Sequence, residues 1–179
     1  MTMAETMNAL MIVAAAVNAC CVVGSRRSRS FHTLVSAGLM AGAMLDTATH
    51  VLGVPPLLWA VILVGWGILG AALHRMRDGR LAAPMGVPST VHLHHGLGLI
   101  VTAAQLMAHS QHTAAGPLGA VGGHAHASSL LIPLALAAGA VFVVYSATLV
   151  ATGSRTRLER GNFLSMCAMT VSMGIMPFV

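Results

Sequence analysis

Apolar positions run along the chain in six long stretches, each closed by a short polar or Gly/Pro-rich segment. A helix that crosses the hydrocarbon core of a bilayer needs roughly 20 mostly apolar residues. The stretches predict spans at about 7–24, 31–53, 57–74, 91–108, 128–152 and 162–178. The segments between them differ in kind. Arg26, Arg27 and Arg29 fill the first connection, Arg75, Arg77 and Arg80 the third, and Arg155, Arg157 and Arg160 the fifth. The second is the Pro55–Pro56 pair and the fourth is a His-rich outer loop, 109–127. Positively charged loops stay in the cytoplasm, so this alternation places both the N-terminus and the C-terminus outside. The expected fold class is all-α, an integral membrane bundle of six transmembrane helices forming one domain over 1–179.

Composition narrows the function classes. Of 179 residues, 56% are hydrophobic and 7% charged, against about 25% charged in a soluble domain. An ordinary soluble fold and a disordered chain are both excluded. The basic balance does not indicate nucleic acid as a partner, because all the positive charges are Arg and mark loops rather than a phosphate-binding face. The expected partner is the lipid bilayer. Arg without Lys points to a GC-rich bacterial genome and hence to the bacterial cytoplasmic membrane. Glu5 precedes the first apolar stretch and the arginines follow it, the reverse of a signal peptide. The first helix is therefore expected to remain. Gly38 and Gly42 offer a small-residue packing pair, Gly96, Gly98 and Ala103 keep the fourth helix slim, and Trp59 is expected at the outer interface.

Thirteen methionines and ten histidines change the picture. Met3, Met7 and Met11 recur every four residues, as do Met40 and Met44. Met166, Met169, Met173 and Met176 are spaced three, four and three apart, and Met107 lies near the outer end of the fourth span. At 3.6 residues per turn each set is one stripe, and most stripes fall in the outer half of the bundle. Thioether sulfur is a soft, uncharged ligand suited to Cu(I). Core packing is the competing explanation, since Met is a flexible filler of apolar interiors.

Asp46 is the only acidic residue well inside a span, where an ionisable group marks function by default. His50 follows on the same face, so the carboxylate is expected to orient its imidazole beside a metal. Proton relay by the pair, or a plain hydrogen bond from Asp46 to His50 or a helix terminus, is the competing explanation. In the outer loop His109, His112, His124 and His126 flank a flexible centre, a composition that points to metal capture. A second group, His32, His74, His92, His94 and His95, lies near the cytoplasmic ends. Within it His32, His74, His92 and His95 would ligate haem if the protein were a small membrane cytochrome. Cys20, Cys21 and Cys167 form no signature, and their expected places argue against disulfides. No nucleophile stands beside a plausible base, which disfavours an enzyme.

The runs His32-Thr-Leu-Val-Ser-Ala-Gly-Leu-Met40-Ala-Gly-Ala-Met44 and Met166-Cys-Ala-Met-Thr-Val-Ser-Met-Gly-Ile-Met176 resemble an actinobacterial family of small multi-helix membrane proteins of unknown function with His/Met-rich helices. Asn162 and Phe163 stand where that pattern would have a histidine. The resemblance implies a multi-helix bundle and no established activity. The expected function is Cu(I) acquisition, storage or delivery through an outward site of Met40, Met44, Asp46, His50, Met107, Met169, Met173 and Met176, fed by the loop histidines. An extracytoplasmic cuproprotein is the partner this implies. A haem-binding electron-transfer protein and a metal-free accessory subunit of a larger membrane complex are the alternatives.

Overall fold

The computed structural model describes residues 3–25, 30–78, 89–114, 125–152 and 156–176. These form six helices and no strand: α1 Met3–Gly24, α2 Phe31–Thr49, α3 Pro56–Asp78, α4 Ser89–Ala114, α5 Ala125–Thr152 and α6 Arg157–Ile175. The all-α class and the number of helices agree with the hydrophobic pattern. Three of the helices, not six, are long and apolar enough by themselves to cross a membrane: Glu5–Gly24, Pro56–Leu73 and Leu130–Thr152. The other three carry the polar residues. Thr33, Ser36 and Asp46 of α2, His94, His95 and Gln105 of α4, and Asn162, Ser165, Thr170 and Ser172 of α6 lower the hydropathy of those helices, and all of them are buried.

Local chemistry sets several boundaries away from those expected. Thr156 caps α6 in a reciprocal capping box: Glu159 N–H donates to Thr156 Oγ1 at 3.3 Å, and Thr156 N–H donates to Glu159 Oε2 at 3.0 Å. Arg157 and Arg160, expected in the fifth connection, therefore lie in the first turn of α6. The Thr-x-x-Glu spacing is the signal for this start. Helix α4 continues to Ala114 and α5 begins at Ala125. His109 and His112 thus extend α4, and His126 lies in α5, because no Gly or Pro interrupts the helix before Gly116. Ser30 starts α2, its hydroxyl accepting from Thr33 N–H at 3.1 Å.

Each helix packs on its neighbours in sequence, α6 closes the ring against α1, and α4 also reaches α2 and α6. One core runs through the bundle, drawing Met11 from α1, Met40 and Met44 from α2, Trp59 and Leu63 from α3, Leu99 and Leu106 from α4, Phe142 from α5 and Met166, Met169 and Met173 from α6. Trp59 is buried within the bundle, its ring lying 3.4 Å from where a side chain on Gly42 would begin. Gly42 thus serves the indole, while Gly38 meets nothing.

Candidate metal centre

The α2–α3 connection organises one end of the bundle. His50 ends α2 in the left-handed region (φ 52°), its N–H donating to Asp46 O at 2.7 Å, and Gly53 also has positive φ (61°). These two turns aim successive N–H groups at the Asp46 carboxylate. Leu52 N–H donates to Oδ1 at 2.8 Å, Gly53 N–H to Oδ1 at 3.0 Å, and Val54 N–H to Oδ2 at 3.1 Å. Trp59 Nε1–H completes the set on Oδ2 at 2.8 Å. Buried backbone donors need partners, and the Asp46 carboxylate supplies them. The expected pairing of Asp46 with the His50 imidazole is replaced by this loop clasp, and the His50 side chain is exposed.

The methionine stripes of α2 and α6 face the common apolar core. Met11, Met40, Met44, Met166, Met169 and Met173 are each no more than 4% exposed and belong to one contiguous cluster. Met107 and Met176 are partly buried against it. The stripe on α1 reaches the cluster only through Met11, since Met3 is exposed. Met11 and Met166 thus join Met40, Met44, Met169 and Met173. Among the described residues, no three side chains of His, Cys, Asp and Glu come together as a metal-holding group. The soft donor atoms that the core contains are thioether sulfurs.

The histidines divide differently. His94 is fully buried against Phe142, Tyr145 and Phe163, with ring centroids 4.8, 6.0 and 4.5 Å away. Its Nε2 lies 2.7 Å from Ser146 Oγ. His95, with its ring edge-on to His94, faces Asn162 Nδ2 at 3.3 Å across the α4–α6 seam. His32 lies in another seam, stacked on Trp66 at 5.2 Å, and its ring occupies the space left by Gly70. Trp66 Nε1–H reaches back to Ser36 Oγ at 3.1 Å. His109 is half-buried on α4. The side chains of His74, His92, His112 and His126, and the whole of His124, lie outside the described residues.

Two polar positions were not singled out by sequence reasoning as site residues. Ser146 sits beside His94, and Gln105 is 5% exposed in the middle of α4, where Nε2–H donates to Thr170 O at 3.0 Å. The available signal was the one applied to Asp46, a strongly polar side chain inside an apolar run.

No family model matches the chain, and neither does any curated protein or solved structure.

Proposed function

We propose that this chain is an integral protein of the bacterial cytoplasmic membrane that crosses the bilayer with all six helices, both termini outside, and binds Cu(I) in its buried thioether cluster. Its role is acquisition, storage or handover to an extracytoplasmic cuproprotein. The six-span reading is supported by which way the less apolar helices turn. The ten polar residues named above are buried, while Leu45 of α2, Leu93 and Ile100 of α4, and Leu164, Val171 and Ile175 of α6 are exposed. Hydroxyls in these helices are satisfied internally: Ser36 donates to His32 O, Thr47 to Ala43 O, Thr170 to Met166 O and Ser172 to Ala168 O. Such bonds keep polar groups tolerable in hydrocarbon.

The copper reading rests on one observation, the gathering of methionines from α1, α2 and α6 into a single buried cluster. Neutral soft sulfur selects Cu(I) over zinc, magnesium or calcium and brings no protein charge into the interior. In this reading Met40, Met44, Met169 and Met173 hold the ion, Met107 and Met176 flank it, and His109, His112, His124 and His126 collect metal outside. Asp46 acts only by holding the α2–α3 loop.

The test is Cu(I) binding by chelator competition in mild detergent, comparing the wild type with a quadruple variant carrying Met40→Leu, Met44→Leu, Met169→Leu and Met173→Leu. Leu conserves apolar volume at a cost below about 1.5 kcal/mol per site, so a folded variant without copper is expected. Unchanged binding overturns the assignment. Purified protein carrying iron and a Soret band would assign haem chemistry instead. A metal-free protein that co-purifies with a fixed partner would assign an accessory role in a larger complex.

A further inference from the structure

The corner between α2 and α3, residues 50–55, is built unlike a connection that faces water. Val51 and Leu52 are 77% and 63% exposed, and Leu57 and Leu58, which open α3, are exposed as well. Within 45–58 the exposed polar side chains are Thr49 and His50, and the Thr49 hydroxyl already donates to Leu45 O at 2.7 Å. The backbone is closed in the same way. His50 N–H donates to Asp46 O, and the N–H groups of residues 52–54 donate to the Asp46 carboxylate. Leu58 N–H donates to Pro55 O at 2.9 Å, and Pro55 and Pro56 carry no N–H. In water the solvent satisfies such donors, and exposed turn positions are filled by polar or small residues. The less water a backbone meets, the more its polar groups must be satisfied from within.

The depth of the corner follows from helix length. Helix α2 has 19 residues, about 28 Å at 1.5 Å per residue, and the hydrocarbon core of a bilayer is about 30 Å thick. Arg26, Arg27 and Arg29 precede α2 and hold its inner end at the cytoplasmic headgroups. The helix therefore reaches the outer boundary of the hydrocarbon and no further. Its neighbour α4 goes beyond. A side chain on Gly67 of α3 would meet Gly96 O and Leu99 Cβ of α4. With α3 and α4 antiparallel, Pro56 then stands level with residues about 107–110 of α4. Helix α4 continues to Ala114, about 6–10 Å higher, through the polar run 109–113. The apolar corner thus lies below the polar end of the adjacent helix.

We propose that this corner is a lipid-inserted wedge. The side chains of Val51, Leu52, Leu57 and Leu58 enter the acyl chains of the outer leaflet just beneath the headgroups, and the exposed His50 imidazole reaches up to the headgroups. The proposal rests on the six-span reading above and adds to it that the second connection is withdrawn from the outer aqueous phase. The apolar surface of the wedge is continuous with Leu45 of α2 and with Val61 and Ile62 of α3, all exposed. Val54 and Trp59 pack on the methionine core from the same corner, so the wedge also keeps water from the α2–α3 end of that core.

The experiment introduces one cysteine at a time into a chain carrying Cys20→Ala, Cys21→Ala and Cys167→Ala. Each is labelled with a nitrobenzoxadiazole fluorophore, and the protein is reconstituted in phosphatidylcholine–phosphatidylglycerol vesicles. Two quenchers are compared: iodide on both sides of the vesicle, and a phosphatidylcholine carrying a nitroxide high on one acyl chain. Arg157→Cys is the aqueous reference and Leu45→Cys the lipid reference. Labels at positions 51 and 57 are expected to lose most of their fluorescence to the nitroxide lipid and little to iodide, as at position 45. Iodide quenching at 51 and 57, with 45 still quenched by lipid, overturns the wedge and leaves six spans intact. Labels at 51 and 57 shielded from both quenchers also overturn it, because protein would then cover the corner. Iodide quenching at 45 overturns the six-span reading and the wedge together. Val51 and Leu57 are both exposed, so neither substitution opens the core. A thermal melt of each labelled protein checks folding, and Leu57→Cys carries the test if Val51→Cys fails to fold.

Discussion

Trp59 Nε1 donates to Asp46 Oδ2 at 2.8 Å, and this bond ties the first turn of α3 to the last turn of α2. The same carboxylate collects three backbone N–H groups from residues 52–54. Asp46→Asn turns one of its oxygens into an NH₂ group that faces donors. It is therefore expected to lower the melting temperature in detergent more than Trp59→Phe, which removes a single bond. Copper content should be retained in the folded fraction of both. Loss of copper without loss of stability would return Asp46 to the ligand set.

His50 supplies a second test of the same corner. Its φ of 52° is a left-handed conformation that glycine adopts freely and other residues adopt at a cost of about 1–2 kcal/mol. His50→Gly is expected to leave stability unchanged or raise it by up to about 1 kcal/mol, because relief at the αL position is partly offset by the greater freedom of glycine in the unfolded chain. Copper affinity should not change. A weaker affinity in a protein of equal stability would show that the exposed imidazole takes part in binding.

The corner also shows what the chain makes legible and what it hides. Six apolar runs and three Arg-marked connections foretell the number of helices, because span length and charge placement are one-dimensional properties. Met40, Met44, Met169 and Met173 were legible as stripes, since helical spacing is written in the residue numbers. Their meeting with Met11 and Met166 depends on how helices rotate against each other, which spacing does not state. Asp46 was legible as exceptional but not as a clasp. Its partners are backbone N–H groups, which every residue except Pro carries, so the sequence around 52–54 bears no mark of them. Phe31 and Phe163 make the same point, both phenylalanines of apolar helices yet 78% and 1% exposed.

Two glycines are expected to respond unequally to the same substitution. A methyl group at position 70 would overlap the His32 ring, and one at position 98 would overlap Met166 Cε. The imidazole is a rigid plane stacked at 10° on Trp66, so it can yield only by leaving that stack. The Met166 methyl is the end of a side chain with three rotatable bonds and can yield locally. Gly70→Ala should destabilise by about 1–3 kcal/mol, the range for overpacking, and Gly98→Ala by less. Thermal melts of the two variants, run side by side, check the order, and the reverse order would mean that Met166 is held as tightly as a ring.

Ser146 settles the proton on His94, and its removal has a calculable consequence. The hydroxyl has one hydrogen and donates it to Phe142 O at 2.7 Å. The contact with His94 Nε2, also 2.7 Å, must then run the other way, with Nε2–H donating to Ser146 Oγ. Nitrogen-15 spectra of labelled protein should accordingly show a directly bonded hydrogen on Nε2 of His94. Ser146→Ala leaves that N–H facing Phe142, Tyr145 and Phe163 in place of an oxygen. Leaving a buried donor without its acceptor costs about 1–3 kcal/mol, and the variant should melt lower by a corresponding amount. A bare Nε2 in the wild type, together with a Ser146→Ala variant as stable as its parent, would mean that the hydroxyl does not hold the His94 ring.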